Sequence, residues 1–387
     1  GMQNEINVAA VIGAGSMGHG IAQSALLAGL TVHLYDIKED SLNNGVEKIY
    51  AGLDKMAAKG EIKQQEAVKF KENLKPTTDL KEAVSQAQFV FEAVPEVMEL
   101  KKDVFKQLDE FAPRNCILAT NTSNMSITEI ANATRYKERV VGVHFFIPVV
   151  LMKIVEVIRG ADTSDAVMDA AYDLCLKMNK IPVRVEKDRP GFIVNRVNGP
   201  TRVFLSAVVD KGLATPEGID ALMRYHGLPI GHFELQDYIG LDVVYFSAEY
   251  RKKMLHPEYR PSEALAAKVN ANELGRKTGK GFYDWSKGKP NIDLNKRTDA
   301  LNIEDIEFVK FNEAAKLVEE EVAEPQDIDK AMVLGTGYKE GPIAYVRQRF
   351  HVEEAIRRLE KWSKQLELEI LQPAKILKDD PDRVVNF

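Results

Sequence analysis

The stretch Val8-Ala9-Ala10-Val11-Ile12-Gly13-Ala14-Gly15-Ser16-Met17-Gly18 constrains the fold of this chain more than any other. A run of small and β-branched residues ending in G-x-G-x-x-G predicts a buried parallel strand that turns sharply into a helix, continuing through His19-Gly20-Ile21-Ala22-Gln23. Gly13 permits the tight turn, Gly15 lets the backbone approach a pyrophosphate, and Gly18 lets the helix pack on the strand. The free N–H groups of Ser16, Met17 and Gly18 at the helix start face the anion. Ala28-Gly29-Leu30 closes the helix, and a second strand, Thr31-Val32-His33-Leu34-Tyr35, ends at Asp36. A dinucleotide fold carries an acid about 20 residues beyond its glycines, where it suits the ribose hydroxyls of NAD and repels the extra phosphate of NADP. A glycine turn in an ordinary strand-helix-strand unit would explain the glycines but not strand, spacing and acid together.

At 387 residues the chain exceeds the ~100–200 residues of a typical domain, so two or three domains are expected. A net charge of −6 gives no sign of a nucleic-acid partner. No apolar run approaches the ~20 residues of a membrane span, and the first residues lack a basic-then-apolar leader pattern, so no membrane association and a cytoplasmic location are expected. Cys116 and Cys175 sit in apolar runs without C-x-x-C spacing or a neighbouring histidine cluster. They read as buried free thiols, and no metal site is expected.

In chain order, a polar helical region runs from Glu39 to about Asn73, with Leu42, Val46, Ile49, Leu53 and Met56 on one face and Lys48, Lys55 and Lys59 on the other. Lysines in that pattern ordinarily serve solvation. The remaining strands are read at Gln88–Val94, Ile117–Thr120, Arg139–Phe146 and Lys153–Ile158, with a helix from Leu100 to Phe111. Ser126 and Glu129 fit a capping box that starts a short helix after the polar turn Asn121-Thr122-Ser123-Asn124. Alternating strands and helices imply a doubly wound sheet whose ligand lies at the carboxyl ends of its strands. The polar residues there are Ser123, His144 and Glu156. Oxidising an alcohol requires a base for the hydroxyl proton, and a histidine with an ordinary pKa of ~6.5 suits the task. A carboxylate on its other nitrogen would fix the tautomer, and a serine hydroxyl would hold the substrate oxygen. Spacing alone also allows His144 to cap a strand, Glu156 to face solvent and Ser123 to be a turn residue.

Gly13 to Gly18, Asn121-Thr122-Ser123, His144-Phe145-Phe146 with Pro148, Val155-Glu156-Val157-Ile158 and Pro190-Gly191-Phe192-Ile193-Val194-Asn195-Arg196 together resemble the L-3-hydroxyacyl-CoA dehydrogenase family, in collinear order over residues 5 to 285. The resemblance implies a catalytic group of Ser123, His144, Glu156 and Asn195. It also implies that Glu96, Lys101 and Lys277 approach NAD, and that Lys59 contacts coenzyme A. The implied activity is interconversion of an L-3-hydroxyacyl-CoA and a 3-ketoacyl-CoA in fatty-acid β-oxidation or short-chain acyl metabolism. Three positions depart from the family pattern. Ile147 stands where the family has asparagine three residues after the base, Val97 where asparagine is common, and Gly231-His232-Phe233-Glu234 replaces Gly-Pro-Phe-Glu. An isoleucine at 147 cannot hold a carbonyl or an amide as asparagine does. A dehydrogenase of a free hydroxy acid on the same scaffold, and a non-catalytic NAD- or acyl-CoA-binding protein, are therefore the alternatives.

Beyond Asn195 the chain turns helical, with helices read at Arg202–Lys211, Pro216–Met223 and Leu241–Arg251. Leu213-Ala214-x-Pro216-x-x-Ile219-Asp220-x-x-Met223 then recurs as Val322-Ala323-x-Pro325-x-x-Ile328-Asp329-x-x-Met332, which implies a duplicated unit. The expected fold is α/β: a Rossmann-type doubly wound parallel sheet over residues 1–187, followed by two related all-α domains, 188–290 and 291–387, joined by a polar linker near Ser286 to Leu294. Ala314, Leu317, Val318, Val322, Ile328 and Met332 supply apolar faces with which the second copy would pack on the first. Such a chain would form an intramolecular pseudo-dimer and remain a monomer.

Overall fold

The computed structural model describes residues 5–387. They fall into two compact units, one of residues 5–194 with Glu321–Lys339 and the other of Asn195–Glu320 with Glu340–Phe387.

The first unit is built on β1 (Val8–Ile12), β2 (Thr31–Tyr35), β3 (Leu74–Thr77), β4 (Phe89–Glu92), β5 (Ile117–Thr120), β6 (Val140–Phe145), β7 (Ile154–Ile158) and β8 (Ile181–Val185), hydrogen-bonded in the order 3-2-1-4-5-6-7-8. The helices are α1 (Ser16–Leu27), α2 (Glu39–Ala58), α3 (Gln64–Glu72), α4 (Leu80–Val84), α5 (Met98–Phe111), α6 (Ile127–Ala131) and α7 (Asp165–Lys177). Every residue of β4, β5, β6 and β7 is buried, which is why these strands read as nearly continuous apolar runs. Phe89, Phe91 and Phe145 form a chain of ring contacts through this core.

The architecture is the expected α/β sheet, with corrections of detail. The sheet is mostly parallel, but β7 runs antiparallel to β6 and sets Glu156 directly opposite His144 in register. The strand reading omitted β3 and β8. Both are edge strands that carry a proline, Pro76 in one and Pro182 in the other, and proline weakens the strand signal where an edge tolerates it. The single long helical region after Glu39 is two helices, α2 and α3, divided around Gly60 with φ of 77°. At Ser126 half of the capping box forms, since its hydroxyl accepts the Glu129 N–H while the Glu129 carboxylate pairs with Lys102.

The second unit holds α8 (Val194–Asp210), whose first residue belongs to the sheet unit, with α9 (Pro216–Tyr225), α10 (His232–Ile239), α11 (Leu241–Met254), α12 (Glu263–Asn270) and α13 (Ile303–Glu319). Chain order then passes through α14 (Pro325–Thr336), returning to this unit with α15 (Pro342–Arg349) and α16 (Val352–Leu366). Within the unit, elements before and after residue 290 pack together. The Phe204 and Trp362 rings meet edge-on at 5.1 Å. The buried Arg196 guanidinium pairs with Glu313 and Glu320, and the Glu258 carboxylate accepts the N–H groups of Glu369 and Ile370 at 2.8 and 2.7 Å.

Residues 321–339 depart from the expected arrangement. Val322, Ile328 and Met332, read as part of a face directed at the first helical segment, lie in the sheet unit, where α14 contacts β7 and β8. The cause is the apolar face of the last two strands. Burying Ile328, Ala331 and Met332 there covers apolar sheet surface, and the Glu186 N–H donates to the Val322 carbonyl at 2.6 Å.

Candidate active site

The dinucleotide turn is formed as its glycines require. Gly13 has φ of 106°, and a Cβ on it would lie 2.6 Å from the Ala93 carbonyl oxygen; a Cβ on Gly18 would collide with the Gly13 carbonyl. A Cβ on Gly15 would meet nothing within 4 Å, so open space faces the start of α1. No side chain caps that helix, which leaves its first N–H groups, at exposed Ser16 and half-buried Met17 among others, available to an anion. The Asp36 carboxylate accepts the Ala14 and Lys38 N–H groups, each at 3.0 Å, and so is fixed beside the turn. An open cradle at a helix start with a fixed acid beside it fits NAD.

A chain of carboxylates ties the next two strand ends together. Glu92, buried at the end of β4, accepts the Thr120 hydroxyl at 2.6 Å, the Val94 N–H at 2.8 Å and the Lys101 ammonium at 2.6 Å. Burial pushes the Glu92 carboxyl pKa up, with Lys101 opposing. Glu96 accepts the Thr122 hydroxyl at 2.6 Å and the Ser123 N–H at 2.9 Å, which fixes the turn carrying Ser123. Lys101 is 1 % exposed, and its ammonium also reaches the Val94 carbonyl at 3.1 Å and lies 3.8 Å from Glu96. Its charge is therefore spent within the protein, beneath the turn. Asn121 completes the support by accepting the Phe145 N–H through Oδ1 at 2.9 Å, joining the serine turn to the end of β6.

At that end stands His144, whose Nδ1 lies 2.7 Å from Glu156 Oε1. Glu156 is fully buried, and its other oxygen accepts the N–H groups of Ile193 and Val194 at 2.8 and 3.2 Å. All of these contacts ask the carboxylate to accept, so the imidazole carries a proton on Nδ1, and in the neutral ring the lone pair lies on Nε2. Phe146 and Phe192 flank the ring with centroids 4.7 and 5.9 Å away. His144 is 5 % exposed, whereas Ile147, two residues past Phe145, is 66 % exposed.

Of the site residues read from sequence, the structure joins His144 with Glu156 and Ser123 with Glu96, and places Lys101 3.8 Å from Glu96. Asn195 follows the Val194 whose N–H holds Glu156, and it lies in the second unit. Lys277 is also there, in an ion pair with Asp242 at 2.6 Å. Lys59 is exposed at the end of α2. The sequence reading missed Glu92, although a charged residue closing an apolar strand was a visible signal. It also missed the Ile193 and Val194 N–H groups, which no side-chain pattern reveals. Cys116 and Cys175 are buried and free, their thiols pushed up to about 12 by burial. Among the described residues no helix is long and apolar enough to cross a membrane.

Residues 8–189 match the model of the 3-hydroxyacyl-CoA dehydrogenase NAD-binding domain, and residues 191–285 and 306–379 match that of the C-terminal domain of the same family. The chain belongs to the 3-hydroxyacyl-CoA dehydrogenase family. Its cofactor is NAD, and it is an enzyme of the NAD-dependent class. It is 40% identical over 283 residues to the mitochondrial hydroxyacyl-coenzyme A dehydrogenase of Rattus norvegicus, covering 71% of this chain and 90% of that one. It is likewise 40% identical over 284 residues to the probable 3-hydroxybutyryl-CoA dehydrogenase of Bacillus subtilis strain 168, covering 73% and 98%. The crystal structure of 3-hydroxybutyryl-CoA dehydrogenase from Escherichia coli K12 superimposes with a TM-score of 0.89 over 99% of each chain, at 29% identity.

Proposed function

We propose that the enzyme interconverts an L-3-hydroxyacyl-CoA and a 3-ketoacyl-CoA with His144 as general base. The carrying observation is the hydrogen bond from His144 Nδ1 to a buried Glu156 that is itself held by two backbone N–H groups. Bound NAD supplies the hydride acceptor. His144 takes the hydroxyl proton at Nε2 as the carbonyl forms, and Glu156 stabilises the resulting imidazolium; in the reverse direction the imidazolium returns the proton to the oxygen. Ser123 holds the substrate oxygen, Asn195 belongs to the catalytic group that the family resemblance implies, Glu96 fixes the serine turn with Lys101 3.8 Å away, Lys277 serves the cofactor, and Lys59 meets coenzyme A. Family membership and the names of the relatives support the thioester and a place in fatty-acid metabolism. One observation favours a free hydroxy acid instead: Ile147 presents an exposed apolar group where an amide would hold a carbonyl. Assaying NADH oxidation with acetoacetyl-CoA against free acetoacetate separates the two, and the thioester reading expects turnover only with the first.

We further propose that the helical segments before and after residue 290 are copies of one unit and that their packing replaces a dimer contact. The sequence repeat, the two matches to one C-terminal family model, and the proline that opens both α9 and α14 support this. So do the Phe204–Trp362 contact and the Arg196 ion pairs. Light scattering should give the mass of one chain; the mass of two would overturn the substitution.

A further inference from the structure

The last turn of α14 reaches the residues around the base. A Cβ on Gly335 would lie 3.1 Å from one Val194 methyl, 3.3 Å from the other and 3.4 Å from the Phe146 ring. Phe146 leans on the His144 imidazole at a centroid distance of 4.7 Å and an interplanar angle of 48°. Val194 is one of the two residues whose N–H groups bind Glu156. A side chain at 335 would therefore press on the Val194 methyls, next to the N–H that holds the base's partner, while meeting the ring beside the base in ordinary contact. The helix has little freedom to retreat, because Ile328, Ala331 and Met332 are buried and α14 contacts β7 and β8. Backing away would lift those side chains off the sheet.

We propose that Gly335 is a positioning residue for catalysis, and that the end of α14, by leaving room for Val194, sets the place of the N–H that holds Glu156 and hence of the His144 imidazole. The proposal rests on the reading of His144 as the base. It gives residues 321–339 a task in the reaction that a purely supporting second helical segment would not have. Phe146 is half-buried and is followed by exposed Ile147, so the side of the base that Phe146 covers is apolar and suits an acyl chain over a charged group.

The test uses the full chain and two readouts. In Gly335→Ala the added methyl displaces the Val194 side chain and with it the N–H that holds Glu156, so the ring-current-shifted His144 resonance, assigned by its loss in His144→Ala, should move. Turnover with acetoacetyl-CoA should fall ~10–100-fold, as expected for a sub-ångström to ångström misplacement near reacting atoms, while the NADH dissociation constant stays within about twofold of wild type. Val194→Ala in the Gly335→Ala background should recover turnover relative to the product of the two single losses, because the smaller side chain removes the close contact. An unmoved resonance with unchanged turnover overturns the proposal, as does strict multiplicativity of the two changes. Absence of turnover in the wild type sinks the proposed function instead, and the His144 resonance still decides whether Gly335 positions the ring.

Discussion

Replacing Glu156 by glutamine changes one atom and reverses the logic of the base. One carboxylate oxygen binds His144 Nδ1 at 2.7 Å, and the other accepts the Ile193 and Val194 N–H groups. Glutamine offers one acceptor and one donor to these demands. Turning its NH2 toward the two backbone N–H groups would orphan both in a buried place, at about 1–3 kcal/mol each. Its oxygen therefore stays on Ile193 and Val194, and the NH2 faces the imidazole. The ring must then accept at Nδ1 and carry its proton on Nε2, where the substrate hydroxyl needs a lone pair. Loss of general base catalysis corresponds to ~10²–10⁴-fold in turnover, or about 3–5 kcal/mol of barrier. The assay is NADH oxidation with acetoacetyl-CoA from about pH 6 to pH 9, paired with fluorescence titration of NADH, which should bind as in the wild type. A turnover loss below about fivefold at every pH would refute the tautomer argument.

Asp36, fixed by the Ala14 and Lys38 N–H groups, should repel a 2′-phosphate, so kcat/KM should favour NADH over NADPH by at least ~10-fold and Asp36→Ser should narrow the gap; equal use of both by the wild type contradicts this. Lys180 is buried, with its pKa lowered to about 8 by burial, and its ammonium donates to the Val149 and Met152 carbonyls of the loop after Phe146. Lys180→Met strands both acceptors, so urea unfolding should show a loss of about 2–4 kcal/mol, with Lys180→Arg recovering part of it. His232 is held neutral, its pKa lowered to about 3 first by burial and then by Arg202 and Lys310. Its contribution to stability is complete above the ordinary pKa of ~6.5 and is lost as pH falls toward 3, amounting to about 2 kcal/mol between pH 7 and pH 5. Unfolding curves at the two pH values should show that loss in the wild type and a smaller one in His232→Gln.

Fold and site were legible in sequence to different depths. The strand-glycine-helix turn and the buried apolar strands announce themselves because each residue there obeys one local demand, a φ near 106° at Gly13 or burial on both faces in β4 to β7. β3 and β8 did not, since edge strands with Pro76 and Pro182 are held by neighbours and not by their own pattern. His144 and Glu156 could be nominated as chemistry, but their contact depends on the antiparallel turn-back of β7, a long-range fact that twelve residues of spacing do not encode. The repeat was visible as matched residues. The placement of its second helix on the sheet was not, because Ile328 and Met332 are apolar whichever surface they cover.

The central claim is that this chain reduces and forms 3-ketoacyl-CoA thioesters through a base at His144. Its most direct test is a stopped-time assay of the purified 387-residue chain with NADH and acetoacetyl-CoA, run beside His144→Ala at equal NADH saturation. The account predicts one NADH consumed per 3-hydroxyacyl-CoA formed in the wild type, at a turnover of roughly 1–10³ per second, and ~10²–10⁴-fold less in the variant. Saturable NADH binding without consumption on any 3-ketoacyl-CoA, or a variant as fast as the wild type, would contradict it.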